Sequence, residues 1–242
     1  MNENDLKKAF EDSVKQTCDI MINALKTMGF EEYQFGDNSV PRPNAVEEFS
    51  FYMQNDTGSY GEYLAKYMLE HLKEGYYKVL ANVYVPYRNG TTEIDILLVH
   101  EKGIFVVESK NYSGWIFGSA EDTYWTQMLN KYTKNRFYNP IKQNQTHIDL
   151  LSKYLEIDKR KFMSYIVFSQ RCELKKVPYD TESFIILKRD DLYGSIMQKI
   201  KSGKNMFTHE EIDVIEQKLI PLANASDEVK EKHIDDINEK YN

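Results

Sequence analysis

The chain has 242 residues, 41% hydrophobic and 13% aromatic content, and a formal net charge of −7. That length and composition describe a globular protein with one sizeable core and helical additions, and no apolar run approaches the ~20 residues of a membrane span. The polar N-terminus, Met1 to Lys8, has no signal-type segment; Cys18 and Cys172 lie far apart, and five scattered histidines lack zinc-site spacing, so the expectation is a reduced, cytoplasmic protein without zinc.

In chain order, Leu6, Phe10, Val14, Thr17, Ile20, Met21, Ala24, Leu25 and Met28 recur at three- and four-residue intervals. This predicts an amphipathic helix over 5–28, ended by Gly29. Residues 31–57, with Pro41-Arg42-Pro43-Asn44, read as a linker. A second helix opens at Ser59-Tyr60-Gly61-Glu62, with Leu64, Ala65, Met68, Leu69 and Leu72 on its inner face. Val79 to Val85 alternates as a strand, and Asn89-Gly90 marks a hairpin turn into Ile94-Asp95-Ile96-Leu97-Leu98-Val99. His100-Glu101-Lys102-Gly103 turns again into the apolar run Ile104-Phe105-Val106-Val107, which ends on Glu108-Ser109-Lys110.

Tyr112 to Gly118 reads as a turn and a short strand. Asn139-Pro140 opens a helix with Ile141, Ile148, Leu151 and Leu155 as its stripe, proline being tolerated in the first turn. Met163 to Phe168 and Phe184 to Leu187 are further strands, placed beside the hairpin. Helices follow at about 190–200, 208–220 and 226–240, the second with a capping box in Thr208-His209-Glu210-Glu211. The order predicts an α/β sandwich with a mixed central sheet, in three parts: an N-terminal helix and linker (1–56), a core (57–188) and a C-terminal helical extension (189–242).

Charged side chains at the ends of core strands are costly to bury without partners. Asp95, Glu108 and Lys110, brought together at the ends of a β-hairpin, suit a divalent cation and phosphodiester chemistry. Lys110 shares the face of Glu108 because strand side chains repeat every two residues. The charge distribution points the same way. Residues 126–178 hold eleven Lys or Arg against four Asp or Glu, which leaves about −14 on the rest of the chain. Such a sector suits a phosphate-backbone track, or simply a solvated surface.

Gly61-Glu62, Ile94-Asp95, Gly103 to Lys110, Trp125 and Asn139-Pro140-Ile141-Lys142-Gln143-Asn144 together resemble the nuclease-related domain family, within the PD-(D/E)xK nuclease superfamily. The resemblance covers about residues 57–155. It implies a restriction-endonuclease-like α/β sandwich and a Mg²⁺- or Mn²⁺-dependent nuclease acting on DNA. Asp95 and Glu108 would hold the metal, with the Ser109 carbonyl or a water as a third donor. Lys110 would orient the attacking water or offset charge on the phosphoryl group.

The resemblance also makes Gln143 an active-site amide and Glu62 a further carboxylate, although Ser59 and Glu62 equally form a capping box. Glu93 reads as a strand-end residue that could assist the metal or pair with Lys110. His147, one turn beyond Gln143, reads as a helix-surface histidine rather than a proton donor. Trp125 reads as core rather than a base-stacking ring with Tyr124 and Tyr132. Lys131, Lys134, Arg136 and Lys142 are the expected DNA contacts. A lone domain of this kind suggests a self-contained bacterial or mobile-element protein in DNA processing or defence. The rivals are a non-catalytic nucleic-acid- or protein-binding module, docked or dimerised through its terminal helices, and a dimeric junction resolvase.

Overall fold

The structure is a computed structural model that describes residues 60–226 except Tyr179, residues 228–233 and 235, and positions 20, 23, 26, 27, 40–44 and 47. The helix expected over 5–28, the linker over 31–57, and Ser59 of the first capping box fall wholly or largely outside these residues.

Helix α1 (Tyr60–Glu70) leads into an antiparallel meander of β1 (Tyr77–Tyr87), β2 (Gly90–His100) and β3 (Gly103–Lys110). The first turn is centred on Arg88 and Asn89, with Arg88 at φ 55°, one residue ahead of the Asn-Gly pair that marks it in the sequence. Short strands β4 (Gly114–Phe117), β5 (Tyr124–Met128) and β6 (Lys134–Tyr138) come next, then helix α2 (Pro140–Leu155). The chain continues through β7 (Phe162–Phe168), β8 (Cys172–Lys176), β9 (Ile185–Lys188), α3 (Arg189–Ser202) and α4 (His209–Ala223). Residues 228–233 are also helical.

The main sheet has the order β1-β2-β3-β7-β9, antiparallel through β3 and parallel beyond it. Its two faces are covered separately. Leu97, Val99, Ile104 and Val106 pack under Ile148, Leu151 and Leu155 of α2 and Ile212, Ile215 and Leu219 of α4. Ile96, Leu98, Phe105 and Val107 pack under Ala65, Met68 and Leu69 of α1 and Leu192 and Ile196 of α3. This is an α/β sandwich with a mixed sheet, as the order of elements predicted, and it is compatible with the restriction-endonuclease-like fold that the resemblance implied. The Thr208–Glu211 capping box is formed reciprocally.

A second sheet of order β6-β5-β4-β8 was not anticipated beyond β4. Its inner residues Ile116, Trp125 and Cys172 pack on Ile166, Phe168 and Ile186 of the main sheet. Ile166 and Phe168 are the register partners of Glu108 and Lys110 in the parallel β3–β7 ladder, so this second layer lies directly beside the two charged residues.

Candidate active site

The β2–β3 ladder ends at Ile96↔Val107, and the next two residues outward are Asp95 and Glu108. Here the strands stop exchanging backbone hydrogen bonds. The Oδ2 of Asp95 instead accepts from the Ser109 N–H at 2.6 Å. On the other side of β2, Asn82 sits in the left-handed region at φ 53°, between the pairs Ala81↔Ile96 and Val83↔Ile94. Left-handed backbone is tolerated by Asn because its short polar side chain bonds locally. The strict alternation of faces also breaks there: Leu80 and Val83, like Ile94 and Leu97, join the same core cluster. Asp95 therefore occupies an irregular point of the sheet, where a carboxylate is not forced into the apolar core. Asn82 is a residue that periodicity alone does not single out.

Glu108 is 1% exposed. Its Oε1 accepts from Lys110 Nζ at 2.5 Å, and the same ammonium donates to Gln143 Oε1 at 3.2 Å. Glu108 Oε2 makes no hydrogen bond and faces His147 Nδ1 at 3.4 Å. The other imidazole nitrogen, Nε2, lies 3.1 Å from Thr92 Oγ1. His147, expected on the helix surface, is instead 1% exposed and packed against Glu108. Helix α2 aims Gln143 and His147 here because two buried asparagines fix its position. Asn139 caps it, accepting from the Ile141 N–H, and donates to the Ser119, Ala120 and Asp122 carbonyls. Asn144 donates to Val106 O and Ser164 Oγ, each at 2.9 Å, tying α2 to β3 and β7.

The electrostatics follow from crowding. Burial, then the Glu108 charge, pushes the Asp95 carboxyl well above the usual carboxylate range, with Glu62 adding to the effect and Lys110 opposing it. Burial works against a charged Lys110, but Glu108 and Asp95 outweigh it and hold the ammonium above its ordinary value. Burial lowers the His147 imidazole despite Glu108 beside it, so the ring is neutral at neutral pH. The ring shares a hydrogen bond with the Thr92 hydroxyl through Nε2, while Nδ1 faces Glu108 Oε2 without bonding to it.

The other expected residues divide clearly. Glu93 does not pair with Lys110; it accepts from Asn82 Nδ2 and Tyr84 Oη, each at 2.9 Å. Trp125 is buried, stacks parallel to Phe168 and donates to Ser119 O, as the core reading held. Lys131, Lys134 and Arg136 are exposed on the β5–β6 hairpin, apart from the carboxylates in sequence, and Lys142 donates to Glu121 O from α2. Cys172 is a free, buried thiol. Among the described residues no three His, Cys, Asp or Glu side chains form a ready-made cage. A cation here would rely on two carboxylates, a backbone carbonyl and water, the donor set of a hard ion that keeps part of its hydration. Among the described residues no helix is long and apolar enough to cross a membrane.

A family model described as the nuclease-related domain matches residues 57–169. An uncharacterised protein of Bacillus anthracis is 33% identical over 186 residues, which cover 76% of this chain and 85% of that protein. No solved structure matches the chain.

Proposed function

The chain belongs to the nuclease-related domain family, and on that premise we propose that it is a divalent-metal-dependent nuclease that hydrolyses DNA phosphodiester bonds. The observation that carries this reading is the buried Glu108 carboxylate, whose Oε2 has no hydrogen bond although it sits at the open end of a ladder beside Asp95. An unsatisfied buried carboxylate oxygen is costly to a fold, and a cation is the partner such an atom suits. The residues fit Mg²⁺ or Mn²⁺: Asp95 and Glu108 would supply carboxylate oxygens, and the Ser109 carbonyl a third donor. A bound cation there would supply charge relief at the phosphoryl group and a more acidic water.

The remaining chemistry belongs to this chain's side chains. The Ser109 N–H fixes Asp95 through Oδ2, and Oδ1 takes no part in that bond. Lys110 is held charged between Glu108 and Gln143, so its ammonium can offset negative charge as the phosphate becomes five-coordinate. Gln143 accepts from Lys110 through Oε1, which leaves its Nε2 donors for a phosphate oxygen or the attacking water. Glu62, whose charge reaches Asp95 from α1, is a further carboxylate at the margin of the site.

The rival is a non-catalytic module that kept the fold, with Lys110 and Glu108 closed into a structural ion pair. Calorimetric titration of the purified chain with Mn²⁺ separates the two. The nuclease reading requires binding heat that Glu108→Ala abolishes. An absence of heat for the intact chain would leave the non-catalytic module.

A further inference from the structure

The outer face of the second sheet takes no part in the site described above. Alternate residues of a strand share a face. The register therefore sets Trp115, Tyr124, Lys134, Arg136 and Lys175 opposite the inward Ile116, Trp125 and Cys172. Trp115 is 45% exposed and Tyr124 41%, and Tyr132 in the β5–β6 turn is 95% exposed. With Leu129 these make four of the eight exposed large hydrophobics among the described residues, two on the strands of one small sheet and two in its β5–β6 turn. A concentration of exposed rings marks a binding surface more than chance does.

The companions of these rings identify the ligand class. The Arg136 guanidinium lies 4.9 Å from the Tyr124 ring centre, and Lys175 Nζ lies 5.4 Å from that of Trp115. Lys134 joins them, and Glu173, which pairs with Lys175, is the one acid placed on this face by β8. The face is cationic on a chain whose net charge is −7. Flat rings set among cations match a ligand with flat π-faces and a regular negative charge. Bases in a duplex are already stacked on one another and offer such rings nothing, whereas unpaired bases stack on them.

We infer that the outer face of the second sheet is a stacking platform for single-stranded DNA, so that this protein engages DNA carrying an unpaired segment in preference to plain duplex. The inference rests on the nuclease reading for what happens to that strand, but not for its binding. The platform is covalently tied to the site at two points. Strand β4 begins four residues after Lys110, and β6 ends two residues before α2, which carries Gln143. At ~3.5 Å per extended residue, Trp115 lies within about 18 Å of Lys110 along the backbone.

The test uses the full chain carrying Asp95→Ala, in EDTA, with oligo-dT and a duplex of equal length. Trp115 is half exposed and Trp125 buried, and the chain has only these two tryptophans, so a base stacking on Trp115 quenches part of the fluorescence while Trp125 reports that the fold is intact. Oligo-dT should quench the emission and bind more tightly than duplex by anisotropy. Trp115→Ala and Tyr124→Ala should each weaken oligo-dT binding roughly 5- to 100-fold, with Trp115→Phe largely restoring it, and leave duplex binding within about twofold. Equal oligo-dT binding by wild type and Trp115→Ala would overturn the platform. So would equal losses for both DNAs, or a wild-type dimer that Trp115→Ala converts to monomer with DNA binding unchanged. Oligo-dT binding through Trp115 without cleavage in Mg²⁺ or Mn²⁺ would keep the platform and remove the nuclease; metal-dependent cleavage indifferent to Trp115 would do the reverse.

Discussion

Replacing His147 tests whether the site is held together as the geometry implies. His147→Phe conserves bulk and aromatic shape in a position that is 1% exposed, but removes the nitrogen that faces Glu108 Oε2 at 3.4 Å. A hydrogen bond to a charged group contributes about 1.5–3 kcal/mol, and this 3.4 Å contact falls short of one, so a smaller stability loss of about 1–1.5 kcal/mol is expected from the weakened electrostatic contact. Outer partners of ligating carboxylates typically alter metal affinity 10- to 100-fold, which is about 1.4–2.7 kcal/mol and of the same size. The two figures describe one event: Glu108 loses the group that orients it. His147→Gln, which keeps an amide donor, should recover part of both. Urea unfolding in EDTA gives the first quantity and Mn²⁺ calorimetry the second. A variant that loses stability but binds Mn²⁺ as wild type does would refute the reasoning and make His147 a packing residue only.

Three further outcomes follow from named contacts. Because the folded Asp95 carboxyl holds its proton to higher pH than the unfolded one, metal-free stability falls as pH rises through that interval; Asp95→Asn removes the loss. Calorimetric melting in EDTA should therefore favour the variant more at pH 7 than at pH 4, and an equal difference at both would contradict it. Asn144→Ala should cost about 1–3 kcal/mol by urea unfolding, since it deletes the bonds to Val106 O and Ser164 Oγ; a change below about 0.5 kcal/mol would mean that α2 is anchored otherwise. Neutralising Lys131, Lys134 and Arg136 together should flatten the slope of log affinity for DNA against log salt by up to about three, and an unchanged slope would make them a solvated surface.

The meander that carries the site was legible because its strands are short β-branched runs separated by turn residues, and because Asp95 interrupts the second run and Glu108 and Lys110 close the third. The Arg88-Asn89 centre of the first turn shifts the expected position by one residue without altering which side chains reach the core. The second sheet was hidden. Lys134-Asn135-Arg136 and Glu173-Leu174-Lys175-Lys176 look like basic loops, since only one face of each strand is covered and their alternation is short. The same polarity made residues 126–178 read as an electrostatic track rather than as a sheet with an aromatic outer face.

His147 was misplaced for a related reason. Hydrophobic periodicity finds apolar burial, and this helix ring is buried against a carboxylate on strand β3. Asn82 left no pattern, because one left-handed residue inside a strand has no periodic signature. Trp125 went the other way. Its inward direction follows from its core reading, while the tryptophan that faces outward, Trp115, sits in a run that reads only as a short strand.

The most direct test of the central claim is cleavage of linear, circular and single-stranded DNA by the purified chain, with Mg²⁺ or Mn²⁺ and with EDTA, beside Asp95→Ala and Glu108→Ala. The account predicts cleavage by the intact protein only with metal, and its loss in both variants; Asp95→Ala removes the crowded carboxylate and melts no lower than the metal-free wild type, whereas Glu108→Ala leaves the Lys110 ammonium without its buried partner and melts lower while still folding. Cleavage by either variant at the wild-type rate in saturating metal, or none by the intact protein on any of these DNAs, would contradict it.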